Sequence, residues 1–162
     1  MKQRIRHIVV AGAAAAAAIV GIVLVLANPF VAPRVDLLRP NDKTVTAVGQ
    51  RLYAEHCAAC HGARLEGQAN WRERGSDGRL PAPPHDATGH TWHHADDVLF
   101  RIVKSGVARS ANLSAYATSM PIYEGVLTDA EIVAVLSWIK AQWPTDIQAR
   151  HDEINRHAQS PR

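Results

Sequence analysis

CAACHG, residues 57–62, holds the only two cysteines of this 162-residue chain, and a histidine follows the second. Two thiols and one imidazole are too few for a closed zinc site, which takes four ligands and usually a second cysteine pair. A redox disulfide is the other plain reading of two cysteines three apart. A thioredoxin-like site, however, follows a strand in a βαβ unit, and no strand-like alternation occurs here. The pattern CxxCH is instead the attachment signature of c-type haem. On a turn after a helix, Cys57 and Cys60 reach the two vinyl groups on one edge of the porphyrin, each forming a thioether. His61 then lies beneath the ring with its imidazole toward the iron.

Working outward, the preceding segment TVTAVGQRLYAEHC spaces Val45, Val48, Leu52 and Tyr53 as one helical face. This predicts a helix that delivers Cys57 at its end. Residues 62–93 show no sustained periodicity and are rich in Gly, Pro, Arg and His. A loop of that length in a small domain is expected to wrap something. A second helix is predicted over about 95–105, with Leu99, Ile102 and Val103 on one face and Asp96 and Asp97 at its positive end. Gly106 is its expected stop. An irregular stretch, 107–127, contains SMPIYEG. Thr128 and Glu131 then form a capping-box signature. Ile132, Val135, Leu136, Ile139 and Trp143 make the apolar stripe of a last strong helix, ended by Pro144. The polar tail 145–162 keeps Ile147 and Ile154 at helical spacing and reads as a peripheral helix.

The N-terminus has a different character. Residues 8–27, IVVAGAAAAAAIVGIVLVLA, are uncharged and apolar, and they follow the basic start MKQRIRH. The length suits a membrane-spanning helix, which needs about 20 residues. The small residues Val25 and Ala27 also suit cleavage of a signal peptide. Both readings export the rest of the chain, because Lys2, Arg4 and Arg6 favour the cytoplasmic side. Residues 28–43, with Pro29, Pro33 and Pro40, read as a semi-extended tether. The expected organisation is therefore an anchor or signal over 1–27, a tether over 28–43, a domain over 44–144 and a tail over 145–162. The formal charge of +3 comes entirely from Lys2, Arg4 and Arg6, so the exported part is neutral and gives no support to nucleic-acid binding.

The chain from about Thr44 to Pro144 resembles a class I (mitochondrial-type) cytochrome c domain. The likeness rests on Gly49, Leu52, Tyr53 and CAACHG in the first part, SMP at 119–121, and LTDAEIVAVLSWIKAQW at 127–143. It implies an all-α domain around one covalently bound haem c, preceded here by a transmembrane helix as in anchored bacterial members. It implies Met120 as the second axial iron ligand opposite His61, a pair that raises the reduction potential. It also implies a proline-region carbonyl, of Pro81 or Pro83, behind His61. Gly49 and Tyr53, with Trp138, match the family's contact between first and last helices. Leu65, Trp71, Leu80 and Leu99 are candidate haem-pocket walls. Arg72, Arg74 and Arg79 either pair with the propionates or face solvent.

With both axial positions filled, the expected role is an electron carrier with no small-molecule substrate, not an enzyme. The expected setting is the periplasmic face of the inner membrane, beside the lipid bilayer. The expected partners are membrane-bound redox complexes, such as a quinol-oxidising complex, a terminal oxidase or a dehydrogenase. A fixed subunit of an oxidase or dehydrogenase is the alternative. A different class of reading is a haem or metal sensor, or a copper-handling protein, using the cluster of His85, His90, His93 and His94, since imidazole suits both copper and zinc.

Overall fold

The computed structural model describes residues 37–113 and 116–160. The anchor or signal over 1–27 and most of the tether lie outside the described residues. Among the described residues no helix is long and apolar enough to cross a membrane, and there is no strand.

Asp42 starts the first helix, α1 (Lys43–His56), by accepting hydrogen bonds from the backbone N–H groups of Thr44 and Val45. A second, one-turn helix, α2 (Ala58–His61), follows almost at once. Residues 62–90 are irregular, ending in a 3₁₀ turn at Thr91–His93. Helix α3 (Asp96–Ser105) runs to Gly106, which ends it as expected at a φ of 87°. The short α4 (Val107–Ser110) falls in a stretch whose sequence gave no helical pattern. Helix α5 (Asp129–Ala141) opens with the full capping box between Thr128 and Glu131. Helix α6 (Thr145–Ala158) follows Pro144.

The core forms where α1 crosses α5. Tyr53 packs on Trp138 with ring centroids 4.7 Å apart. Gly49 permits the approach, because a Cβ there would sit 2.0 Å from the carbonyl oxygen of Ala134. The expected stripe of Ile132, Val135, Leu136, Ile139 and Trp143 is buried throughout. The burial extends further round the helix than a stripe, however, and takes in Val133, Ala134, Ser137 and Lys140. The reason is that α5 is covered on more than one side. Besides α1 it meets α3, and the Arg39 backbone N–H donates to Ser137 Oγ at 2.9 Å.

Two expected boundaries shift accordingly. Leu38, placed in the tether, is buried in the core, and its N–H donates to Asp96 Oδ2 at 3.0 Å. The tail helix is not peripheral. Ile147, His151 and Asn155 are buried. Asn155 and Asp96 are joined by two hydrogen bonds: the Asp96 N–H donates to Asn155 Oδ1 at 2.8 Å, and Asn155 Nδ2 donates to Asp96 Oδ1 at 2.9 Å. Lys140, almost fully buried, pairs with Asp152 at 2.5 Å. The His151 Nε2–H donates to the carbonyl of His94 at 2.9 Å. The described unit therefore runs from residue 37 through α6.

Candidate haem site

Helix α1 ends at the site by design of its last turn. The Cys57 N–H donates to the carbonyl of Tyr53, and the N–H of His61 donates to the carbonyl of Cys57. Cys57, Cys60 and His61 thus lie on one helical turn, which Cys57 opens and His61 closes. Two tyrosines brace it. The Tyr53 hydroxyl donates to the carbonyl of Gly62 at 2.8 Å, and the Tyr123 hydroxyl donates to the carbonyl of His56 at 2.7 Å. Burial pushes both phenols upward, Tyr123 to about 12, so both remain donors at neutral pH.

The two thiols are unpaired with each other, Cys57 half-buried and Cys60 exposed. Burial, above all, lifts the Cys57 thiol to about 11, with the neighbouring Tyr123 hydroxyl opposing the shift. Among the described residues no group of three or more His, Cys, Asp or Glu side chains is placed to hold a metal ion. Cys57 and Cys60 therefore stand at the spacing two thioethers to one haem need, without the further ligands that would close a zinc site among the described residues.

His61 is buried, and its Nδ1 lies 2.9 Å from the carbonyl oxygen of Pro83. A carbonyl only accepts, so Nδ1 carries the proton and Nε2 keeps its lone pair. Burial lowers the basicity of the ring, only partly offset by the Pro83 bond, which favours the neutral form. A neutral imidazole whose tautomer is fixed by a backbone carbonyl is what an iron ligand requires. Of the two prolines left open by the sequence, Pro83 supplies that carbonyl, and Pro81 lies half-buried beside it.

The 82–86 segment is held in place by the turn after the motif. The His85 N–H donates to the carbonyl of Leu65 at 2.8 Å, and the Gln68 N–H to that of Ala82 at 2.9 Å. Gly67 lets the two segments meet: its φ is 67°, and a Cβ there would lie 2.5 Å from the Pro84 nitrogen. Sequence reasoning singled out neither this glycine nor the orientation of His85. The ring of His85 stacks on that of His61, with centroids 4.0 Å apart and planes 23° apart. Burial first, then the neighbouring His61 and His90, pushes the proton off His85. The only local sign was its position two residues after Pro83.

Leu65 and Leu99 are buried and belong to the same core cluster as Tyr53 and Leu136. Trp71 lies outside that cluster, stacked on His90 with the Arg72 guanidinium 4.0 Å from its ring centre. Leu80 is half-buried. Arg72, Arg74 and Arg79 are exposed, and the last two bond to Gly78 and Asp77 within their own loop. Met120 is half-buried on the irregular segment between α4 and α5, where its N–H donates to Thr118 Oγ1 at 3.1 Å. That segment is pinned to α3 at its far end by the bonds from Tyr123 and Glu124 to the carbonyls of Val103 and Lys104.

The other histidines do not converge. His85 Nδ1 lies 2.8 Å from Thr91 Oγ1, His93 stacks on Trp92, and His90 is shared between Trp71 and His94. With these partners the cluster offers no closed metal shell, and the copper reading has no support among the described residues.

No curated protein and no solved structure gives a significant match to the chain. The family model described as cytochrome c matches residues 46–143, well over half of the 162. This span runs from the first turn of α1 to Trp143 and contains Cys57, Cys60, His61 and Met120. One covalently bound haem c follows from it, at the CxxCH spacing of Cys57 and Cys60. A braced two-thiol turn, a neutral imidazole with its lone pair free and the matching family model lead to one statement: the chain belongs to the cytochrome c family.

Proposed function

We propose that this chain is a membrane-anchored, mono-haem cytochrome that passes single electrons between respiratory complexes on the periplasmic side. Cys57 and Cys60 would hold the haem through thioethers, and His61 and Met120 would bind its iron. The observation that carries the reading is the His61 ring, whose Nδ1 is committed to Pro83 and whose Nε2 is left to bind. The haem supplies one-electron chemistry, and the chain supplies covalent retention and a fixed imidazole. In this reading Met120 adds a thioether that favours ferrous iron, so the couple sits high. With both positions taken, no site remains for a small-molecule substrate. The apolar run 8–27 supports anchoring, and Lys2, Arg4 and Arg6 support an inside N-terminus. Tethering near a membrane raises the effective concentration at quinol-oxidising, oxidase or dehydrogenase partners in the same bilayer.

The test is Met120→Ala in full-length protein matured with haem. The expected outcome is loss of the far-red sulfur-to-iron absorption band, a lower reduction potential and new binding of carbon monoxide by the reduced form. An unchanged band and potential would show that another residue is the sixth ligand.

A further inference from the structure

The hydrogen bond to Pro83 fixes one nitrogen of His61 but leaves a freedom. A ring held at Nδ1 can still roll about the axis through its two nitrogens. His85 lies across that motion, its ring 4.0 Å away and 23° from parallel. Any large roll of His61 drives its carbons into the facing ring.

His85 is itself held from several directions. Its N–H donates to the Leu65 carbonyl at 2.8 Å, and its carbonyl accepts the Trp143 Nε1–H at 2.7 Å. Its Nδ1 is 2.8 Å from Thr91 Oγ1, and Tyr53 meets the ring edge-on at 6.4 Å. These ties come from α1, the turn after CxxCH, the 3₁₀ turn and the end of α5. Filling space alone would call for Leu or Met, which need no polar partner. A flat imidazole with its own hydrogen bond at Thr91 is a fixed plate.

We propose that His85 is a positioning residue that sets the rotational angle of the His61 imidazole about its bond to the haem iron. The proposal rests on the reading of His61 as an axial ligand. The angle of that ring relative to the porphyrin nitrogens sets which iron d orbital interacts with the imidazole π system. It therefore sets the magnetic anisotropy of the ferric state and the distribution of unpaired spin over the haem edge.

The experiment uses full-length protein matured with haem, as wild type, His85→Ala and His85→Leu. The readouts are the ferric EPR g-values, the hyperfine-shifted haem methyl resonances in the proton NMR spectrum, and the reduction potential. Both variants are expected to change the spread of g-values and the order or spacing of the methyl resonances. The potential should fall most in His85→Ala, where water gains access beside the ligand. If His85→Ala fails to acquire haem, His85→Leu keeps the volume without the plate and carries the test alone. Wild-type g-values and methyl shifts in whichever variant matures would overturn the inference. His61→Ala separates the two levels. If it keeps the wild-type low-spin spectrum, the ligand reading fails. If it loses that spectrum while the His85 variants match wild type, only the role of His85 falls.

Discussion

Helix α5 is bound to α1 and to α6 by opposite means. Toward α1 the contact is apolar and close: Gly49 against the Ala134 backbone, Tyr53 on Trp138, and Leu52 and Leu136 in one cluster. Toward α6 it is polar: the buried Lys140 pairs with the half-exposed Asp152, and α6 is tied beyond them by buried bonds of Asn155 to Asp96 and of His151 to the His94 carbonyl. The first contact depends on shape. The second depends on every donor finding its acceptor, since a buried polar group left unpaired costs about 1–3 kcal/mol. The two contacts should therefore fail to different insults.

The shape-dependent contact breaks hardest. Helix propensity alone favours Gly49→Ala by about 1 kcal/mol. The structure reverses the sign, because the new Cβ would collide with a backbone oxygen that cannot rotate away. Gly49→Leu adds three further carbons to the same gap. It is expected to cost about 3 kcal/mol or more by overpacking, read as a lower denaturant midpoint of the holoprotein. A stability equal to wild type would mean that α1 and α5 do not meet at this residue.

The polar contact should respond to loss of a partner. Asn155→Ala removes both the donor to Asp96 Oδ1 and the acceptor of the Asp96 N–H, deep in a buried site. The expected loss is about 2 kcal/mol, with faster hydrogen exchange in α6 and little change in α1. A uniform loss across both helices would show that the two contacts unfold as one unit.

The same contrast explains what the sequence reveals. Residues spaced at 3.6 mark α1 and α5, and Thr128 with Glu131 marks the start of α5, because these signals are local. Cys57, Cys60 and His61 are legible for the same reason. The tail is different. Its helix shows in Ile147 and Ile154, but its docking uses Asn155 and Asp96, 59 residues apart. Leu38 meets Asp96 across 58 residues. Nothing periodic links such pairs, so the tail reads as peripheral and Leu38 as part of a tether. The site divides similarly. The resemblance narrows the His61 carbonyl to two prolines, and only the Gly67 crossing selects Pro83. The stacking of His85 depends on a loop without regular structure, where spacing predicts no neighbour.

Acid should separate the two contacts most gently. His151 is fully buried, donates through Nε2 to the His94 carbonyl and leaves Nδ1 without a partner. Protonation would add a proton at Nδ1 with nothing to receive it, beside the Lys140 ammonium. Burial first, and Lys140 second, lower its basicity, while Asp96, the His94 carbonyl and Asp152 oppose the shift. A base with a folded value below its unfolded one binds more protons when unfolded. Stability then rises with pH across the window, and it is lost as pH falls from about 6.5, the unfolded value, toward the folded value. For one group the slope cannot exceed about 1.4 kcal/mol per pH unit. His85, His90 and His94 shift the same way and add to the wild-type slope. His151→Gln keeps a donor for the His94 carbonyl but cannot titrate. Denaturant midpoints at pH 7.5, 6.5 and 5.5 should fall less steeply in this variant than in wild type. The protection of α6 from hydrogen exchange should account for the difference. Identical slopes would mean that His151 takes up its proton in the folded protein without disturbing α6, and that the polar contact tolerates a charge the geometry gives it no means to satisfy.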